Sequence, residues 1–78
     1  MEKTLADCTV GDVVQLAKIA EEQLSLQLSA MGCLIGETLR LEKIAPFGDP
    51  MVISVDNNFI SLRREDAKKM QVEKSNNQ

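Results

Sequence analysis

A five-residue segment between two apolar stretches, Pro46–Pro50 (PFGDP), most constrains how this chain can fold. Its two prolines fix φ and remove two amide donors, while Gly48 and Asp49 tolerate the backbone angles that a chain reversal needs. On either side, residues 37–44 and 51–55 alternate apolar with other side chains, which is the period of a half-buried strand. The pattern therefore predicts two strands joined by a rigid hairpin.

The residues before this hairpin predict a helix over residues 21–31. The segment EEQLSLQLSAM also alternates like a strand, but it is rich in helix formers, begins with acids and lacks β-branched residues. On a helix, Leu24, Leu28 and Met31 form one apolar stripe. Leu26 lies about 160° from that stripe at roughly 100° per residue, so we expect it to face outward.

Two glycines separate this helix from the next strand. Gly32 can end the helix in the left-handed conformation, and Gly36 suits the third position of a type II turn, where φ must be positive. Both glycines, like Pro46, Gly48, Asp49 and Pro50 in the hairpin, are therefore predicted to serve the geometry of turns.

The rest of the chain supplies three more short strands. Residues 13–20 predict strand one, with a bulge or bend because Ile19 falls off its period. A turn over residues 56–58, a strand over 59–62, one helical turn over 63–69 and a last strand over 70–73 complete the pattern. We expect one all-β domain over residues 1–73, a small, strongly bent SH3-like barrel of about five strands with one α-helix after strand one and a short helical turn before the last strand. Residues 74–78 are predicted to be a disordered tail.

Composition excludes several classes of function. The chain has 78 residues, a net charge of −3 and no histidine, so the commonest general base and the commonest transition-metal ligand are both missing. No nucleophile–base arrangement or phosphate-binding glycine loop is present, and we predict that the protein is not an enzyme and needs no cofactor. No apolar run approaches the roughly 18 residues of a membrane helix, so we expect a cytoplasmic protein without direct membrane insertion.

The two cysteines are the strongest argument for a metal site. Cys8 and Cys33 could supply thiolates near the carboxylates of Glu21, Glu22, Asp49 or Asp56, but they lack metal-ligand spacing. Both also occupy apolar positions of the pattern, and free cysteine is among the most buried residue types. We therefore predict two buried thiols and no bound structural metal.

The order of these parts resembles the FeoA family of ferrous iron transport accessory proteins. The resemblance is carried by Leu28-x-x-Met31-Gly32-x-x-x-Gly36 followed by the Pro46–Pro50 hairpin, and more weakly by Leu5-x-x-Cys8-x-x-Gly11 and by residues 61–67. Ile35 departs from the family, which often has a turn proline at this position. The resemblance implies a free-standing SH3-like domain that acts with FeoB, a membrane transporter with a cytoplasmic G domain.

Contact with other proteins is the function that these observations favour. Leu26 and Phe47 are the apolar residues predicted to lie outside the core, and apolar side chains on a small domain are common interface anchors. Arg63 and Arg64 could steer an acidic partner, but nucleic acid is not expected because acids interrupt the basic run and no aromatic residue is interleaved.

We therefore expect an accessory or regulatory protein of ferrous iron uptake that contacts the cytoplasmic part of a FeoB-type transporter. Exposed strand edges also allow a homo-oligomer. The alternative is a metal-responsive scaffold or iron-handling protein that uses the same barrel.

Overall fold

Five antiparallel strands in the spatial order β4-β3-β2-β1-β5 form the sheet of the computed structural model, which describes residues 3–75. The elements follow one another in the chain as a 3-10 helix (Leu5–Asp7), β1 (Val13–Ile19), α1 (Glu22–Ala30), β2 (Thr38–Ile44), β3 (Met51–Val55), β4 (Asn58–Leu62), α2 (Arg64–Ala67) and β5 (Met70–Lys74). This is the predicted fold class, with a helix after strand one and a helical turn before the last strand.

The core fills the inner face of the sheet. Alternate residues of the strands point into it, so that β3 buries Met51, Ile53 and Val55 while its two other residues stay half-buried. Helix α1 contributes Leu24 and Leu28 to the same core. The predicted strand periods and the predicted helix are therefore both confirmed.

Two bulges bend the sheet. The β1–β5 register shifts between Leu16 and Lys18, which confirms the irregularity predicted for strand one. A second shift lies between Leu41 and Lys43 in β2, and no pattern in the sequence predicted it. An extra residue in one strand increases the local twist, which is how a short sheet curls around its core.

The two outer strands of the sheet differ in their surroundings. Along β5, Thr4 forms a bridge to Gln71, and the Val72 N–H donates to the Lys3 carbonyl at 2.9 Å. Along β4, the described residues pair with β3 alone. β4 and β5 are not paired with each other within residues 3–75, so the curled sheet is a partly open barrel.

The turns confirm the predicted roles of the glycines. After α1, the N–H groups of Gly32 and Cys33 donate to Ser29 and Leu28 in a Schellman arrangement, with Gly32 at φ +88°. Gly36 has φ +96° in a turn closed by the Glu37 N–H and the Leu34 carbonyl, as a type II turn requires.

The hairpin predicted at Pro46–Pro50 joins β2 to β3. The Gly48 N–H donates to the Ala45 carbonyl at 2.8 Å, and the Ala45 N–H donates to the Pro50 carbonyl at 3.0 Å. Gly48 has φ +86°, and the Asp49–Pro50 peptide bond is cis. Phe47 therefore occupies the tip of a tight turn.

Three details of the sequence prediction need correction. Met31 was expected in the buried stripe of α1, but the helix ends at Ala30 and the Met31 side chain is exposed. Asn58 was expected in a turn but begins β4, and the turn consists of Asp56, at φ +55°, and Asn57.

The third correction concerns the predicted disordered tail. Lys74, the last residue of β5, pairs with Val14 of β1, and Ser75 is buried. Neither residue therefore belongs to a disordered segment. Residues 76–78 of that tail lie outside the described residues.

Candidate protein interaction surface

Helix α1 presents a leucine to solvent between two buried ones. Leu24 and Leu28 are in the core, whereas the Leu26 residue is 65% exposed. The helical rotation of about 100° per residue places Leu26 on the opposite side from its two neighbours. The outward position predicted for Leu26 is therefore confirmed.

Three more exposed apolar side chains follow Leu26 in the connection from α1 to β2. Met31, Leu34 and Ile35 are all about half exposed. With Leu26 they place four exposed aliphatic side chains within ten residues of the chain, a set that we call the α1–β2 apolar segment. Sequence reasoning missed Leu34 and Ile35, although the two flanking glycines mark turns, where side chains commonly point outward.

Hydrogen bonds and one buried side chain hold this segment in place. The Gly36 N–H donates to the Leu16 carbonyl at 2.8 Å, and the Gln15 side-chain amide donates to the Gly36 carbonyl at 3.0 Å. Between the exposed residues, the Cys33 side chain is buried in the core. A segment fixed in this way loses little conformational entropy when a partner covers it.

Two phenylalanines are exposed on other elements. Phe47 is 98% exposed at the tip of the β2–β3 hairpin, which confirms its predicted position outside the core. Phe59 in β4 is 72% exposed, and the sequence analysis did not single it out. Its alternation with Ile60 and Leu62, which are buried, was the signal that could have identified it.

Arg64 and Asp49, predicted as a partner-binding residue and a turn residue, connect distant parts of the fold. The Arg64 guanidinium donates to the Ala6 carbonyl at 3.3 Å, and the Arg64 backbone N–H donates to Asp49 Oδ1 at 3.1 Å. Asp49 therefore caps the first turn of α2 from the hairpin. Arg63 is exposed beside it, at the N-cap of α2.

The two thiols lie inside the molecule, as predicted. Burial raises the pKa of the Cys8 thiol, and burial followed by the charge of Glu37 raises the pKa of the Cys33 thiol to about 11. Both thiols therefore stay protonated at neutral pH, which weakens them as metal ligands because metals bind the thiolate. Within residues 3–75, no three His, Cys, Asp or Glu side chains form a group that could hold a metal ion.

Comparison with known families gives the decisive match. The model of the FeoA domain matches residues 3–74 of this chain. The chain belongs to the FeoA domain family. Membership makes it a protein related to ferrous iron transport, and it confirms the family resemblance drawn from the hairpin and the two glycines.

Solved structures agree with this assignment. The FeoA protein from Chlorobium tepidum is 25% identical to this chain, with a TM-score of 0.85. The match covers 91% of this chain and 69% of the Chlorobium tepidum chain. A FeoA-like protein from Clostridium acetobutylicum is 27% identical with a TM-score of 0.82, covering 92% of this chain and 85% of its own.

A manganese-dependent transcriptional repressor shares the fold alone. It is 19% identical with a TM-score of 0.85, and the match covers 95% of this FeoA chain but 37% of the repressor.

Comparison with curated proteins gives no significant match. Neither α-helix in residues 3–75 has the length and apolar character needed to cross a membrane.

Proposed function

We propose that this FeoA domain protein is an accessory protein of ferrous iron uptake that acts by contact with the cytoplasmic part of a FeoB-type transporter. Family membership supports the link to iron transport. The observation that carries the proposed mechanism is the α1–β2 apolar segment, because its four exposed aliphatic side chains have no use within the chain's own core.

The energetics favour this segment as the contact. Fully burying one aliphatic side chain is worth about 1.5–3 kcal/mol, so covering four that are about half exposed supplies several kcal/mol. The backbone hydrogen bonds of Gly36 and the buried Cys33 fix the segment before binding, which lowers the entropic cost of association.

Polar residues lie near Leu26 on the exposed surface of α1. On α1, Glu22, Gln23 and Gln27 are exposed around Leu26, and the helix carries no basic residue. An apolar centre with a polar rim is the usual anatomy of a protein interface. The complementary surface on the transporter would be an apolar hollow with a neutral or basic edge.

Co-purification of the chain with the transporter's cytoplasmic part tests the proposal. Leu26→Glu places a charge on an apolar position of the contact and should weaken binding at least tenfold, as is typical of an interface anchor. Gln27→Glu introduces the same charge at the next exposed position and is the matched control. Equal retention of Leu26→Glu and Gln27→Glu by the transporter would contradict the proposal.

The metal-responsive alternative makes a different prediction. A metal-dependent contact would be lost in the presence of a chelator, whereas an apolar contact made by uncharged side chains would persist. The raised thiol pKa values and the lack of a ligand cluster within residues 3–75 favour the metal-independent contact. The same co-purification with added chelator separates the two.

A further inference from the structure

The strand β4 leaves one edge of the sheet open and unprotected. Within the described chain its backbone pairs with β3 alone, whereas Lys3 and Thr4 cover part of the edge of β5. Proteins usually protect such an edge with charged residues, proline or a bulge. β4 (NFISL) contains no charged residue and no proline, and its register with β3 has no shift.

We infer that the open edge of β4 binds β4 of a second copy of this chain, in an antiparallel pair across a two-fold axis at Ile60. Inner-face residues of the two strands lie opposite each other only if the numbers of paired residues add up to an even number. A slip by one residue would move every side chain to the other face. The register centred on Ile60 does this and pairs all five residues of each strand. The two sheets then form one continuous sheet.

The charges that flank β4 select the antiparallel orientation. Asp56 lies just before the strand and Arg63 just after it, and both are exposed. Antiparallel pairing brings Asp56 of one copy near Arg63 of the other at both ends. Parallel pairing would instead bring like charges together, which is unfavourable at short distance.

The pairing also gives the exposed Phe59 a contact. In the register centred on Ile60, Phe59 lies opposite Ser61 of the other copy on the outer face, and the two Phe59 side chains are diagonal neighbours. Diagonal cross-strand positions are about 7–8 Å apart, which is within reach of aromatic rings. Phe59 is the most exposed apolar residue of the strands, so its contact adds most to the pair.

Two five-residue strands with one aromatic ring each form a small interface, so the dimer should be weak and concentration-dependent. NMR spectra of the isotope-labelled chain, recorded from about 20 µM to about 1 mM, span the relevant range of dissociation constants. We expect concentration-dependent shifts centred on residues 58–62, and sedimentation equilibrium should show a monomer–dimer equilibrium. A monomer throughout this range, or shifts centred on another surface, would overturn the inference.

Matched variants identify the strand. Phe59→Lys should weaken dimerisation at least tenfold because it replaces the aromatic contact by two neighbouring positive charges. Phe47→Lys makes the same change at the hairpin tip and should leave dimerisation unchanged. Equal effects of the two variants would count against the β4 edge.

A second pair of variants tests the flanking charges. Arg63→Glu should weaken the dimer by placing a like charge near Asp56 of the other copy, whereas Lys68→Glu, the same change in charge outside the pair, should have a smaller effect. The inference concerns a surface separate from α1, so its failure leaves the proposed transporter contact untouched. Equal weakening by both glutamate variants would contradict the proposed orientation.

Discussion

The buried thiol of Cys33 should make the stability of the fold depend on pH in the alkaline range. The residue is 1% exposed, and its burial is the main reason why the pKa of the thiol rises to about 11 from the ordinary value of 9.0. The unfolded chain loses this proton near pH 9, whereas the folded chain keeps it until about pH 11. Between these values the unfolded state binds fewer protons, so stability must fall as pH rises.

We predict that the free energy of unfolding declines above about pH 9, with a contribution from Cys33 of about 1.4 kcal/mol per pH unit. The chain contains no tyrosine, so no phenol adds to this pH dependence. Urea unfolding of the wild type and of Cys33→Ala from pH 8 to 11 measures the difference. Parallel pH profiles for the two proteins would contradict the assignment.

Residue positions were predictable wherever a local period determines them. Leu26 follows from the helical rotation, and the burial of Cys8 and Cys33 follows from their apolar positions. Met31 was misplaced because the helical period was extended past the last helical residue, Ala30. Phe59 could have been predicted from strand alternation alone.

At the scale of elements, the hairpin and α2 depend on each other. The Asp49 carboxylate accepts the Arg64 N–H, one of the donors that a helix leaves unpaired in its first turn. No local pattern could predict this bond, because its partners are 15 residues apart and meet only after β3 and β4 pair. The register shift in β2 likewise has no marker in the local sequence pattern.

This contact predicts a measurable loss on substitution. Asp49→Ala should lower the free energy of unfolding by about 0.5–2 kcal/mol, as is usual when a helix cap is removed. Asp49→Asn keeps an oxygen acceptor and should cost less. Denaturant unfolding of both variants checks the order, and an Asp49→Ala protein as stable as the wild type would show that the cap contributes nothing.

At the scale of the molecule, the residues that form the core differ from those proposed to contact other proteins. Its core uses the inner faces of the strands and of α1, while the α1–β2 apolar segment, Phe47 and Phe59 stay outside it. The five-strand order with its helix and helical turn was predictable because each element has a clear period and the turns carry glycine or proline. The sequence could not predict that the barrel is partly open or that its two edge strands differ, because both features depend on which strands pair in the fold.

The decisive experiment for a metal-independent contact through residues 26–35 is an NMR titration of the labelled chain with the transporter's cytoplasmic part, in the presence of a chelator. We expect chemical shift changes concentrated on residues 26–35 without metal, retained in Gln27→Glu and lost in Leu26→Glu. Shifts that require added ferrous iron, or that leave residues 26–35 unchanged, would contradict it.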